Sequence, residues 1–249
     1  YCDTGIICQL IDRLYPQNPI YPQDQIAQLT AAAHWTDTFL FKASVAVAFQ
    51  PKALEGDDLF SDPAAAEAFM KDRADFSKGS TELGMDLNVA LPHWLQHMTR
   101  LEQQLSLADF LGGSSPTILD FSTYHCCWFV YKNDALKGDL AKLPALGHWM
   151  ERMAAFGHGQ PTSITGDAAV TIAKNSSPEA IAANGGLASE PFDPGAQVEV
   201  VAIDYGFQPT RGELVLASGD ELVVKRIDER AGEVNVHFPR LGFRVNPVQ

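Results

Sequence analysis

Apolar residues recur along this chain with two different periods, and the change of period divides it. Near the start, Ile6, Ile7, Leu10, Ile11 and Leu14 fall on one face of a helix, with Asp3 and Thr4 just ahead of it as N-terminal caps. Pro16, Pro19 and Pro22 then end that helix and stretch the chain into a linker. From about residue 23 to 50, Ile26, Leu29, Ala33, Phe39, Leu40, Ala43 and Val47 predict one long helix that no glycine interrupts. Residues 51–62 read as a loop, and Pro63 is placed as the first residue of a helix running to about Phe76. After a break at 78–86, Leu87, Leu91, Trp94, Leu95, Met98, Leu101 and Leu105 share a helical face that Pro92 kinks near its start.

Gly112 to Pro116 form a turn, followed by Thr117-Ile118-Leu119-Asp120, a T-x-x-D capping arrangement in which Thr117 and Asp120 serve as structural N-caps. The helix after it is apolar nearly all round, which predicts burial on all sides at the centre of a helical bundle. Leu146, Trp149, Met150, Met153 and Phe156 mark a further amphipathic helix, and "DAAVTIAKNS" one more. Trp35, Trp94, Trp128 and Trp149 sit on four different predicted helices, where rings of that size anchor packing.

The period changes from helical to alternating beyond about residue 174. Residues 175–191, rich in Ala, Gly, Ser and Pro, read as a linker. "QVEVVAID", "RGELVLAS", "ELVVKRID", "EVNVHFP" and "GFRVNPV" then read as five short strands separated by glycine and proline turns. The expected fold class is multi-domain and mainly α: a helical bundle followed by a small SH3-like β-barrel at 192–249.

Composition narrows the partners. The chain of 249 residues carries a formal charge of −13, and residues 192–249 hold nine acidic against six basic side chains. That argues against a nucleic-acid or anionic-membrane surface, and Arg240 and Arg244 among aromatics do not make one. Of the four cysteines, Cys2, Cys8, Cys126 and Cys127, none forms a C-x-x-C pair; they read as reduced thiols, which fits a cytoplasmic protein. His93 and His97 are four apart, but no H-E-x-x-H pattern surrounds them, so no metal is expected.

The order of these features resembles the glutathione S-transferase family: an acid-threonine pair opening an amphipathic helix, a proline linker, a long helix, and a T-x-x-D-capped core helix. The resemblance covers about residues 1–160. It implies that residues 1–22 are the end of a thioredoxin-like domain plus the interdomain linker, and that 23–174 are the helical C-terminal domain. The β-rich tail lies outside the common family pattern. By the same resemblance the catalytic Ser, Tyr or Cys and the cis-proline of the glutathione site fall upstream of Tyr1, so no residue of this chain takes the catalytic role. Cys2, beside that site, then reads as a bystander.

On spacing alone Asp3 and Thr4 merely cap a helix; the resemblance implies that they bind glutathione. The helix N-terminus and the hydroxyl would hold its γ-glutamyl carboxylate while the acid attracts its ammonium. It also implies that His34, Trp35 and Thr38 line the pocket of a small hydrophobic electrophile, and that the protein forms a homodimer. The function so implied is glutathione conjugation or reduction of small electrophiles by the intact parent, with glutathione as co-substrate. The alternative is a non-catalytic binding or regulatory protein on the same fold that acts through its C-terminal barrel; a third reading is a fragment whose later domains fold without the first.

Overall fold

In the computed structural model, residues 1–54, 62–81, 84–181 and 192–248 are described. They form two compact units: a helical unit of Tyr15–Ser77 and Thr81–Gly159, and a sheet unit of Tyr1–Leu14, Lys78–Ser80 and Gln160–Gln249. Parts of the expected loop at 51–62 and of the linker at 175–191 lie outside the described residues.

In the helical unit the expected single helix over 23–50 is α2 (Ile26–Trp35) and α3 (Phe41–Ala48), joined by a π-helical turn at Thr36–Leu40. The Phe41 amide reaches back to the Thr36 carbonyl, and the Cys126 thiol meets the same carbonyl at 3.7 Å. Short α4 (Pro51–Leu54) precedes α5 (Pro63–Phe76), whose first turn is capped by Asp62 Oδ1 accepting from the Ala64 amide at 2.9 Å. In α6 (Leu87–Leu105), Ala90, Trp94, Met98, Leu101 and Leu105 are the buried stripe, and Pro92 sits inside the first turns. α7 (Ile118–Tyr131), α8 (Lys137–Leu140) and α9 (Pro144–Ala154) complete the unit. α3 packs on α6 and α7, and α9 on α6. The core between them holds Leu40, Val47, Trp94, Met98, Cys127 and Trp149.

Two expectations about this core need correction. α7 is not buried on all sides: His125 is exposed and Trp128 is 43% exposed, with the Lys132 ammonium 4.6 Å from the Trp128 ring centre. Residues 125, 128 and 132 share one helical face, and that face meets water. Correspondingly, Trp94 and Trp149 anchor the core while Trp35 and Trp128 do not. Trp94 carries its polar group inside by donating Nε1–H to Ser44 Oγ at 3.1 Å.

The start of α9 is capped from another helix. Glu102 on α6 accepts from the Ala145 and Leu146 amides at 3.1 and 2.8 Å, because Leu143 at the N-cap has no side-chain oxygen to offer.

The sheet unit contains α1 (Thr4–Leu14), α10 (Gly166–Lys174) and five antiparallel strands: β1 (Gln197–Ala202), β2 (Thr210–Ala217), β3 (Glu221–Asp228), β4 (Gly232–Pro239) and β5 (Phe243–Pro247). Their order is β4-β3-β2-β1-β5. One face buries Val198, Val200, Leu214, Leu222, Val224 and Phe238. The sheet is open, with β4 and β5 as edges, and so differs from the closed barrel expected. The edge of β4 is instead met by the start of the chain: the Cys2 amide donates to the His237 carbonyl at 2.8 Å, and α1 and α10 pack on β4. Among the described residues no helix is long and apolar enough to cross a membrane.

Candidate functional site

The N-terminus of α1 joins a helix start to an unusual backbone. Asp3 has φ 86°, which among the described residues no other non-glycine residue matches with a positive φ. Its Oδ1 accepts from the Gly5 amide at 2.7 Å, closing an Asx-type turn into the helix. Asp3 and Thr4 are both exposed. The Thr4 amide and hydroxyl have no hydrogen-bond partner among the described residues. Hydrogen-bond donors at the positive end of a helix next to an exposed carboxylate make a donor set suited to a group carrying both a carboxylate and an ammonium.

Cys2 precedes this turn. Its side chain packs against the sheet core, and that burial, with the neighbouring Asp3 carboxylate, pushes its thiol pKa up. A raised pKa is the opposite of what a nucleophilic thiol needs. The turn is gripped from β4: the Tyr1 ring stacks on the His237 imidazole with centroids 4.3 Å apart, and His237 Nδ1 lies 2.6 Å from Glu221 Oε1. Tyr1 and His237 also form part of the wall of a pocket of about 400 Å³ between α1, Ser176–Glu179 and β4; Asp3 and Thr4 do not line it.

His34, Trp35 and Thr38 lie on α2 and the π turn, in the helical unit. The Thr38 hydroxyl donates to the His34 carbonyl at 2.7 Å, so it is engaged with its own helix. Trp35 packs on Phe39 at 5.5 Å and on His97 at 5.0 Å, and His93 meets Phe39 edge-on at 5.6 Å. The two histidines that shared a helical spacing are thus each engaged with an aromatic ring. Burial, with Arg100 adding to it, lowers the His97 pKa to about 4. Among the described residues no group of three His, Cys, Asp or Glu side chains could hold a metal ion.

Thr117 and Asp120 stand at the start of α7. Asp120 Oδ2 accepts from the Thr117 amide at 2.9 Å and the Thr117 hydroxyl at 3.0 Å. Oδ1 accepts from the Leu111 amide at 2.7 Å and Trp149 Nε1–H at 3.0 Å. The Ile118 amide is satisfied by the Ile20 carbonyl of the linker at 2.9 Å. These donors hold the carboxylate in the interior as part of the fold.

Sequence reasoning missed His237 and Glu221, because only the pairing of β3 with β4 brings them together, and it missed the Leu111 and Trp149 donors to Asp120. No local pattern marked any of them.

Residues 59–152 match the family model described as glutathione S-transferase, C-terminal domain. Among solved structures, a GST-like protein from Pseudomonas syringae is 30% identical, with a TM-score of 0.79, covering 100% of this chain and 78% of that one. The beta-etherase LigF from Sphingobium sp. strain SYK-6 is 20% identical, with a TM-score of 0.43 over 62% of this chain and 70% of that one. No curated protein matches this chain.

Proposed function

Because this chain belongs to the glutathione S-transferase family, we propose that it binds glutathione for conjugation to, or reduction of, a small electrophile. Bound glutathione supplies the thiol nucleophile. The chain's own part is to hold the γ-glutamyl end: the Thr4 amide and hydroxyl donate to its carboxylate, and the Asp3 carboxylate pairs with its ammonium. The residue that stabilises the thiolate is not assigned within this chain.

The observation that carries this reading is the positive φ of Asp3 directly before the exposed Thr4. A non-glycine residue keeps such a conformation only where its surroundings hold it there, and such residues gather at binding turns. In the same reading α1 is the last helix of a thioredoxin-like part, and His34, Trp35 and Thr38 form the electrophile's wall. The protein then works as a homodimer in the cytoplasm.

Calorimetric titration with glutathione tests the site. Wild-type protein should bind, and Thr4→Val and Asp3→Asn should each weaken binding by about tenfold or more, as loss of a charge-assisted hydrogen bond demands. No binding by wild type, or unchanged affinity in both variants, overturns the reading.

A further inference from the structure

We propose that His237, on the edge strand β4, is a positioning residue for the Asp3–Thr4 turn, which makes the C-terminal sheet part of the candidate glutathione site instead of a separate module. The inference rests on the reading of Asp3–Thr4 given above for its link to glutathione.

The contacts form a short chain. The Ser218 hydroxyl accepts from the Glu221 amide at 3.0 Å, and the Ser218 amide donates to the Glu221 carbonyl at 2.9 Å, which fixes the start of β3. Glu221, 7% exposed, then holds the His237 ring through the 2.6 Å contact at Nδ1. His237 in turn holds both residues that precede the turn, with its ring face against Tyr1 and its carbonyl on the Cys2 amide. The half-buried Cys2 side chain packs against the sheet's apolar core. Two consecutive residues are therefore tied to the sheet immediately before the residue whose φ is 86°.

This arrangement explains how a disfavoured backbone persists at an exposed position. Among the described residues the Asp3 side chain bonds forward, to Gly5. The constraint from behind comes from His237 by way of Tyr1 and Cys2. Loosening that grip lets Asp3 relax toward negative φ, and the helix start at Thr4 then moves with it. A single ring stack is worth a modest factor, so the effect should be graded and not absolute.

The test uses the full chain with His237→Ala and His237→Phe. It reads glutathione affinity by calorimetry, and amide hydrogen exchange at Gly5 and Ile7, which donate to the Asp3 carboxylate and carbonyl, beside that of β3. His237→Ala should weaken glutathione binding about three- to tenfold. It should speed exchange at Gly5 and Ile7 while β3 keeps its protection, and His237→Phe, which keeps a ring for Tyr1, should recover most of both. Unchanged exchange at Gly5 and Ile7 in His237→Ala overturns the proposal. So does loosening of β3 to the same extent, which would mean a loss of fold, and so does a loosened turn with unaltered affinity. Wild-type protein that does not bind glutathione, with a turn that still loosens selectively in His237→Ala, would sink the proposed function and leave the positioning role supported.

Discussion

Trp149 donates its indole N–H to Asp120 Oδ1 across 3.0 Å, and both residues have no exposed surface. Asp120 is thereby the joint at which α9, the turn at Leu111 and the start of α7 meet. A carboxylate can accept from several donors at once, which is why one buried acid can serve three segments. Its removal strands buried donors, each costing about 1–3 kcal/mol. Asp120→Ala should therefore lower stability in urea denaturation by more than about 3 kcal/mol. Trp149→Phe keeps the ring and removes one donor, so it should cost only about 1–2 kcal/mol. Equal losses from the two would contradict this assignment.

The half-buried imidazole of His97 makes the helical unit acid-sensitive. Its pKa is about 4 when folded, against 6.5 for the free side chain. Below pH 6.5 the unfolded chain takes up a proton that the folded chain refuses, so stability falls as pH drops toward 4 and is fully present above 6.5. At 1.36 kcal/mol per pKa unit the loss reaches up to about 3 kcal/mol. Urea denaturation of wild type and His97→Phe across this range should show a flatter slope for the variant; equal slopes would count against it.

Burial also governs the thiols. Cys127 is pushed well above its ordinary range by complete burial, and Cys126 is raised to about 12 by burial with the Asp37 carboxylate adding to it. Neither is a thiolate near neutrality. A thiol reagent applied to the native protein should therefore label no more than Cys2 and Cys8, and all four only in denaturant. Labelling of Cys126 or Cys127 under native conditions would show that the core opens readily.

Gly212 in β2 has no room for a side chain. An added Cβ would stand 2.2 Å from the Lys225 carbonyl oxygen and 2.7 Å from Val224 Cγ1 on the neighbouring strand. Because the obstacle is backbone, Gly212→Ala must spread β2 from β3, at a cost of about 2–4 kcal/mol. Loss of β3 amide protection in hydrogen exchange, with α6 and α7 unchanged, would confirm that the damage stays in the sheet unit. Wild-type protection throughout would refute the clash.

Helices and strands were legible because each depends on neighbours in sequence. The segment expected from Pro63 to about Phe76 is α5, and the five alternating stretches are β1 to β5 within a residue or two. Caps behaved the same way, since Thr117 and Asp120 are three residues apart and meet within one turn. The candidate turn was legible as a pair, Asp3 and Thr4, but its backbone conformation was not: φ at Asp3 is 86°, and the two residues before it are tied to His237, more than two hundred positions away.

Side-chain period and capping chemistry are local free-energy preferences, so the chain's own order of residues decided where helices and strands begin and end, and where the fold class changes from helical to sheet. Partner choice is a competition among all surfaces that could be buried together. Only the assembled structure decided that the start of the chain lies on β4, that the sheet stays open, and that Trp128 faces water while Trp149 reaches Asp120. Such pairs are separated by long stretches of chain, and their selection comes from the total burial and hydrogen bonding of the fold, which no window of sequence contains.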